Sequence, residues 1–96
     1  MNIYYKIKNR MLISAAILMF MVVNRTSETY SGRVGKAYLL RDETDSLRFI
    51  SFGPWDGEIT IRNWRNSNEF KEFAEKIAGL CDDFQPNTLK VASSSE

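Results

Sequence analysis

The chain contains no histidine and a single cysteine, Cys81. The first absence removes the commonest general base, the Ser-His-Asp arrangement, and histidine ligation of zinc or haem iron. The second excludes an intrachain disulfide framework and a multi-cysteine metal centre. Chemistry therefore falls to hydroxyl, phenol, indole, carboxylate and guanidinium groups. Tyr38 offers a phenolic proton relay, although most strand tyrosines only pack. Cys81 lies beside an apolar stripe and before two aspartates, which favours a buried structural thiol over a reactive one. Arg41 and Arg48 flank the acidic run Asp42-Glu43-Thr44-Asp45 and read as solvated or paired with Asp42, Glu43 or Asp45. Arg62, Trp64 and Arg65 could gate a pocket mouth, with surface packing as the plainer alternative.

The elements that must position these groups centre on Leu47–Trp55. A half-exposed antiparallel strand alternates apolar and polar residues, because successive side chains point to opposite faces. Here Leu47, Phe49 and Trp55 share one face with Ser51 and Gly53, while Ile50 and Phe52 occupy the other. Both faces want cover, more than one protomer of this length readily supplies. A second layer from a partner subunit, with a cavity where the layers meet, is the expectation. Val34–Arg41 reads as the preceding strand, Asp42–Ser46 as a turn built on Asp and Ser side chains, and Gly53-Pro54 as a limit to pairing. Asp56-Gly57 before Glu58-Ile59-Thr60-Ile61 is ambiguous: a hairpin turn into a strand, slightly favoured by local pattern, or the loop opening a helix that ends near Trp64.

Asn66-Ser67-Asn68-Glu69 opens the main helix, with Asn66 or Ser67 as N-cap. Phe70, Phe73, Ile77, Leu80 and Phe84 make a stripe at helical period, helped by Ala74 and Cys81, and Lys71, Glu72, Glu75 and Lys76 form the wet face. Pro86 stops that pattern, Thr88–Ala92 reads as a short final strand, and Ser93–Glu96 as a frayed tail.

The N-terminal segment carries several readings. Ile3, Tyr5 and Ile7 alternate with Asn2, Tyr4, Lys6 and Lys8, the period of an edge strand. Met11–Val23 is continuously apolar, and thirteen helical residues would span only ~20 Å of a ~30 Å hydrocarbon core. It is read as a buried helix crossing back over the sheet, as a signal or membrane-associated segment behind Lys6, Lys8 and Arg10, or as an unusual extension or misassigned start. Under the signal reading, Thr29 and Ser31 would precede a cleavage at Gly32, and Asn24-Arg25-Thr26 is a formal glycosylation sequon. Residues 1–33 are accordingly separated from a core of 34–92 and a tail of 93–96. Ninety-six residues suffice for one core. A composition of 44% hydrophobic and 26% charged residues is that of a soluble globular chain. The net charge of +1 argues against dedicated nucleic-acid binding.

Three stretches taken together resemble the antibiotic biosynthesis monooxygenase (ABM) domain family. They are Tyr38-Leu39-Leu40-Arg41 with Asp42–Ser46 and Arg48–Trp55; then Ile61-Arg62-Asn63-Trp64-Arg65 with Asn68-Glu69-Phe70; then Asp82-Asp83-Phe84 with Pro86 and Thr88-Leu89. The resemblance covers about residues 34–92. It implies an α+β fold, a ferredoxin-like βαββαβ antiparallel sheet with helices on one face, dimerising through its sheets into an α+β barrel. It also favours the helix after Asp56-Gly57. Met1–Asn24 must then supply the first strand and helix, yet the family's first helix is typically amphipathic and Met11–Val23 is apolar all round, so that unit is expected to be degenerate.

Some ABM-type enzymes oxidise phenolic aromatics with molecular oxygen and neither metal nor flavin; others degrade haem or act on quinols. The haem branch binds iron through a histidine and does not fit this chain. The resemblance implies no cofactor, a small quinol or phenolic substrate with O2, and a homodimer. It places Trp55 as a pocket tryptophan whose indole N–H can hydrogen-bond a substrate oxygen. Ser51, four residues earlier, stands where cofactor-free members can carry an asparagine. The expected catalytic set is Trp55, Ser51 and Tyr38, in a cytoplasmic protein, or an exported or membrane-associated one if Met11–Val23 acts as a signal. The competing expectation is a catalytically idle barrel that binds a small hydrophobic ligand or a protein.

Overall fold

The computed structural model describes residues 1–90 and 92. The elements run β1 (Asn2–Ile7), a single 3-10 turn (Arg10–Leu12), α1 (Ile13–Ser27), β2 (Tyr38–Arg41), β3 (Arg48–Phe52), α2 (Glu58–Arg65), α3 (Asn68–Ala78) and β4 (Cys81–Asn87). The four strands form one antiparallel sheet in the order β2-β3-β1-β4. This is the ferredoxin-like architecture, with the helices on one face. β1 is a central strand rather than the edge strand its alternation suggested, pairing Tyr5 with Phe49 on one side and Phe84 on the other. The first βα unit is intact.

Alternation in β1 sets the core. Ile3, Tyr5 and Ile7 are buried beneath the helices and Asn2, Tyr4 and Lys6 turn to the open face. In β3, Phe49 and Ser51 face the helices while Arg48, Ile50 and Phe52 are exposed. Two helical stripes close the layer: Ile61 and Trp64 from α2, and Phe70, Phe73 and Ile77 from α3. Ile7 and Ile77 are fully buried, and each burial stabilises the fold by about 1.5–3 kcal/mol. Ser67 is the N-cap of α3, its Oγ accepting the Phe70 N–H at 3.1 Å.

Several expectations are corrected. The α3 stripe stops at Ala78, and Gly79 follows as the C-cap. Phe84 and Cys81 therefore sit on β4, not on the helix, and the final strand is Cys81–Asn87, with Thr88–Lys90 in no regular element. Pro86 is accommodated because β4 is an edge strand, where a missing ladder donor costs least. The strand read as Val34–Arg41 is confined to Tyr38–Arg41, since Gly35 takes a left-handed conformation at φ +66°. Asp56-Gly57 opens a helix and not a hairpin. The tail read over 93–96 lies outside the described residues.

Helix α1 also departs from the reading of a buried crossing helix. Only Ala16 and Ser27 are buried, while Leu18, Met21 and Val22 stand in solvent, as does Met11 in the preceding turn at 91% exposure. An all-apolar helix on one face of a sheet has more apolar surface than a single neighbour can cover. By length and composition alone, Arg10–Ser27 could cross a membrane, with a mean hydropathy of 1.2. Core helices and signal sequences meet that description too.

Candidate functional site

The residues around Trp55 enclose a cavity of about 50 Å³ between the sheet and its helices, inside one protomer. β1 contributes Ile3 and Tyr5, α1 contributes Phe20, Val23 and Asn24, and Ser51 and Trp55 come from β3 and the chain just beyond it. Residues 1–24 thus form one wall of the cavity.

Trp55 is held by two neighbours, Arg33 and Trp64. Its backbone forms an isolated antiparallel bridge with Arg33. Its ring stacks on Trp64 with centroids 5.9 Å apart and planes inclined at 24°. Trp64 is fixed in turn by Tyr30 and Phe70, at 4.9 and 5.7 Å in edge contacts, and the Tyr30 hydroxyl donates to Glu69 Oε2 at 2.7 Å. Offset and edge-on aromatic pairs of this kind add about 0.5–1.5 kcal/mol beyond burial. Trp64 is therefore a buried cavity wall, not the surface gate considered from sequence. Arg62 and Arg65 lie elsewhere, Arg65 donating to Thr88 Oγ1 at 3.0 Å.

Ser51 Oγ is 2.9 Å from the Tyr5 hydroxyl, both side chains being buried. Burial pushes the Tyr5 phenol well above its ordinary pKa, only partly offset by the hydrogen bond to Ser51. Tyr5 is thus a neutral hydroxyl at physiological pH, able to donate or accept but not to act as a base. Alternation in the sequence groups it with Ile3 and Ile7 on one face of a strand and assigns it no role. Its alternation was the available signal, since a phenol on a fully apolar face needs a polar partner.

Tyr38 is not part of this arrangement. It pairs with Phe52 on β3 and is half exposed on the open face, opposite the side to which Ser51 points. The phenol within reach of Ser51 is Tyr5. Cys81 is buried at the start of β4, and burial followed by the charges of Asp82 and Asp83 pushes its thiol up to about 11. It is protonated and unreactive. Arg41 donates to the Ser46 carbonyl at 3.0 Å and lies over the Phe49 ring. Arg48 lies 3.9 Å from Asp45, which is also paired with Lys6.

Arg33 is the cavity residue whose importance sequence gave no reason to suspect. Its Nη1 donates to Ser27 Oγ, while Nε and Nη2 are buried with no hydrogen-bond partner. Burial lowers its pKa, opposed by the nearby charge of Glu28. The loop that carries it turns at Gly32, whose φ of +94° suits glycine and whose Cα faces Thr60 so closely that an added Cβ would fall 2.3 Å from Thr60 Cβ. Asn24 Oδ1, another cavity group, is likewise buried without a donor. Among the described residues no Asp or Glu lines the cavity; the lining supplies hydrogen-bonding groups and two positive charges, Arg33 and the Met1 ammonium, which donates to the Gly53 carbonyl at 2.9 Å and whose pKa burial lowers.

No family model and no curated protein matches the sequence. Solved structures do match. A protein of Nitrosomonas europaea, provisionally described as an antibiotic biosynthesis monooxygenase, superposes with a TM-score of 0.77 at 12% identity over 88% of this chain and 80% of its own. A second structure described as an antibiotic biosynthesis monooxygenase gives 0.73 at 11% identity, covering 93% and 97% of the two chains. SnoaB of Streptomyces nogalater, a cofactor-independent oxygenase, gives 0.75 at 12% identity in a mutant form, covering 96% and 94%. Identity this low establishes architecture. The resemblance read from residues 34–92 is met in three dimensions, and the chain has the ferredoxin-like fold of the antibiotic biosynthesis monooxygenase structures.

Proposed function

We propose that this protein is a small cofactor-independent monooxygenase that oxidises a quinol or phenolic aromatic with O2 in the cavity between sheet and helices. The observation that carries the reading is the placement of Trp55 and Ser51 on one cavity wall, with the stacked Trp64 and the Tyr5–Ser51 pair behind them. Its likeness in fold to SnoaB supports the same class of reaction.

The chemistry asked of the site is modest. A phenol oxidised to a quinone gives up four electrons; O2 takes them, one oxygen atom entering the ring and the other leaving as water. The electron source is the ring, so the protein must hold the ring, favour its anion and exclude water. Trp55 and Trp64 present aromatic surface to the ring, and the Trp55 indole N–H and Ser51 hydroxyl are the donors for its oxygens. With no carboxylate among the described lining residues, ionisation of the substrate is favoured by the positive field of Arg33 and by the Met1 amino group, whose pKa is lowered by burial. At about 50 Å³ this partly open cavity is small against the roughly 300 Å³ of an ordinary ligand site, so even a single ring enters only with opening beside the exposed helix α1.

We also propose a homodimer through the open sheet face, where Tyr38, Leu40, Ile50 and Phe52 leave a contiguous apolar surface. A second reading, ligand binding without turnover, is favoured by the absence of an acid–base carboxylate from the cavity lining. Parallel aerobic and anaerobic incubations with quinols and phenols separate the two. Substrate loss that requires oxygen supports the monooxygenase; saturable binding with equal, negligible loss in both atmospheres leaves binding alone.

A further inference from the structure

The free edge of Arg33 defines what the ligand of this cavity must carry. A guanidinium has two forks, and the Nε–H and Nη2–H pair is the side-on one, two parallel donors matched to a pair of oxygens about as far apart as those of a carboxylate. In Arg33 that fork is the part left unpartnered: Nη1 is engaged with Ser27 Oγ, and Nε and Nη2 have no acceptor and lie just beneath the cavity surface, so a ligand meets them once the side chain turns toward the cavity. Buried charged donors without acceptors are costly and are ordinarily satisfied. Among the described residues the ion pairs are Lys6–Asp45, Arg48–Asp45 and Lys76–Glu72, so no carboxylate of the protein pairs with Arg33. Asn24 Oδ1, on the same cavity, waits for a donor.

We infer that the cavity takes an aromatic ligand bearing a two-oxygen anion, a carboxylate or an ionised phenol beside a carbonyl, which binds side-on to Arg33 Nε and Nη2 and turns a hydroxyl toward Asn24 Oδ1. The inference rests on the proposal that the cavity is a site for a phenolic ring, and it adds the anionic group. It also gives the missing base a rationale. A phenol beside a carbonyl is acidic in its own right, and with its anion matched by the Arg33 guanidinium it needs no histidine or carboxylate to deprotonate it; a carboxylate would be anchored by the same fork with its phenol still neutral.

Salicylate and its neutral isostere 2-hydroxybenzamide are the probes, titrated calorimetrically into the full chain at neutral pH, with quenching of tryptophan emission as a second readout. The protein has two tryptophans, and Trp55 and Trp64 both line the cavity. Salicylate is expected to bind at least about 10-fold more tightly than the amide, the range for a hydrogen-bonded pair to a charged group. Arg33→Met should abolish that preference while the amide still binds. Arg33→Lys, which keeps the charge and loses the fork, should restore only part of it. The wild-type comparison stands even if the methionine variant is unstable. Equal affinity for the two probes, or a preference that survives Arg33→Met, overturns the anion site and leaves the monooxygenase reading intact. Failure of both probes to bind overturns the ligand site and the phenolic cavity together. Loss of oxygen-dependent turnover with salicylate binding retained would remove only the monooxygenase.

Discussion

Removing the Tyr5 hydroxyl tests whether Tyr5 and Ser51 act as a unit. Both side chains are buried, at 2% and 5% exposure, and their oxygens are 2.9 Å apart. Tyr5→Phe leaves Ser51 Oγ buried without its partner, and Ser51→Ala does the same to the Tyr5 hydroxyl. Each single change should therefore cost about 1–3 kcal/mol, the penalty for orphaning a buried polar group. The double variant strands neither atom, so its cost should fall below the sum of the two by about 1 kcal/mol or more. In a domain of this size about 1 kcal/mol corresponds to roughly 4–8 °C in Tm. Thermal and urea unfolding of the four proteins measures the cycle. Additivity within about 0.4 kcal/mol would refute the pairing and, with it, the claim that Tyr5 orients the Ser51 hydroxyl in the cavity.

Further outcomes follow from other parts of the fold. Gly32→Ala should destabilise by about 3 kcal/mol, through left-handed strain and the clash with Thr60, and urea unfolding would show it. Tyr5 and Cys81 both have pKa values raised by burial. Their contribution to stability is complete below the ordinary thiol and phenol values of 9.0 and 10.0 and is lost as pH rises past those values toward the folded ones. Unfolding free energy should accordingly fall by up to about 1.4 kcal/mol per pH unit for each group, from about pH 9 to 11 for Cys81 and from about pH 10 upward for Tyr5. Cys81→Ala should flatten the first part of that fall. Phe52→Lys on the open face should convert a dimer to a monomer in sedimentation with the Tm of the protomer little changed; a dimer that persists would place the interface elsewhere.

Much of the fold is legible from alternation and capping. Ile3, Tyr5 and Ile7 mark the inner face of β1, and Ser67 with the Phe70–Phe73–Ile77 stripe marks α3 and its start. The end of α3 was obscured because Leu80 and Phe84 continue the helical spacing past Gly79 by coincidence. Phe84 is instead opposite Tyr5 across a strand pair, with ring centroids 5.6 Å apart. Whether Pro86 ends a helix or sits in an edge strand depends on strand order, which local pattern does not encode. The site was legible to the same degree. Trp55 and Ser51 share a face by simple parity, but Tyr38 has the opposite parity once paired with Phe52. Arg33, on the loop that turns at Gly32, and Asn24, in the last turn of α1, reach the cavity through tertiary packing that no periodicity announces.

The most direct test of the account is the oxygen balance of turnover. With a phenolic substrate in an oxygen electrode, one O2 should disappear for each quinone formed, and catalase added at the end should return no oxygen. Release of oxygen on adding catalase, showing that both atoms of O2 leave as hydrogen peroxide and neither enters the ring, would contradict monooxygenation in this cavity.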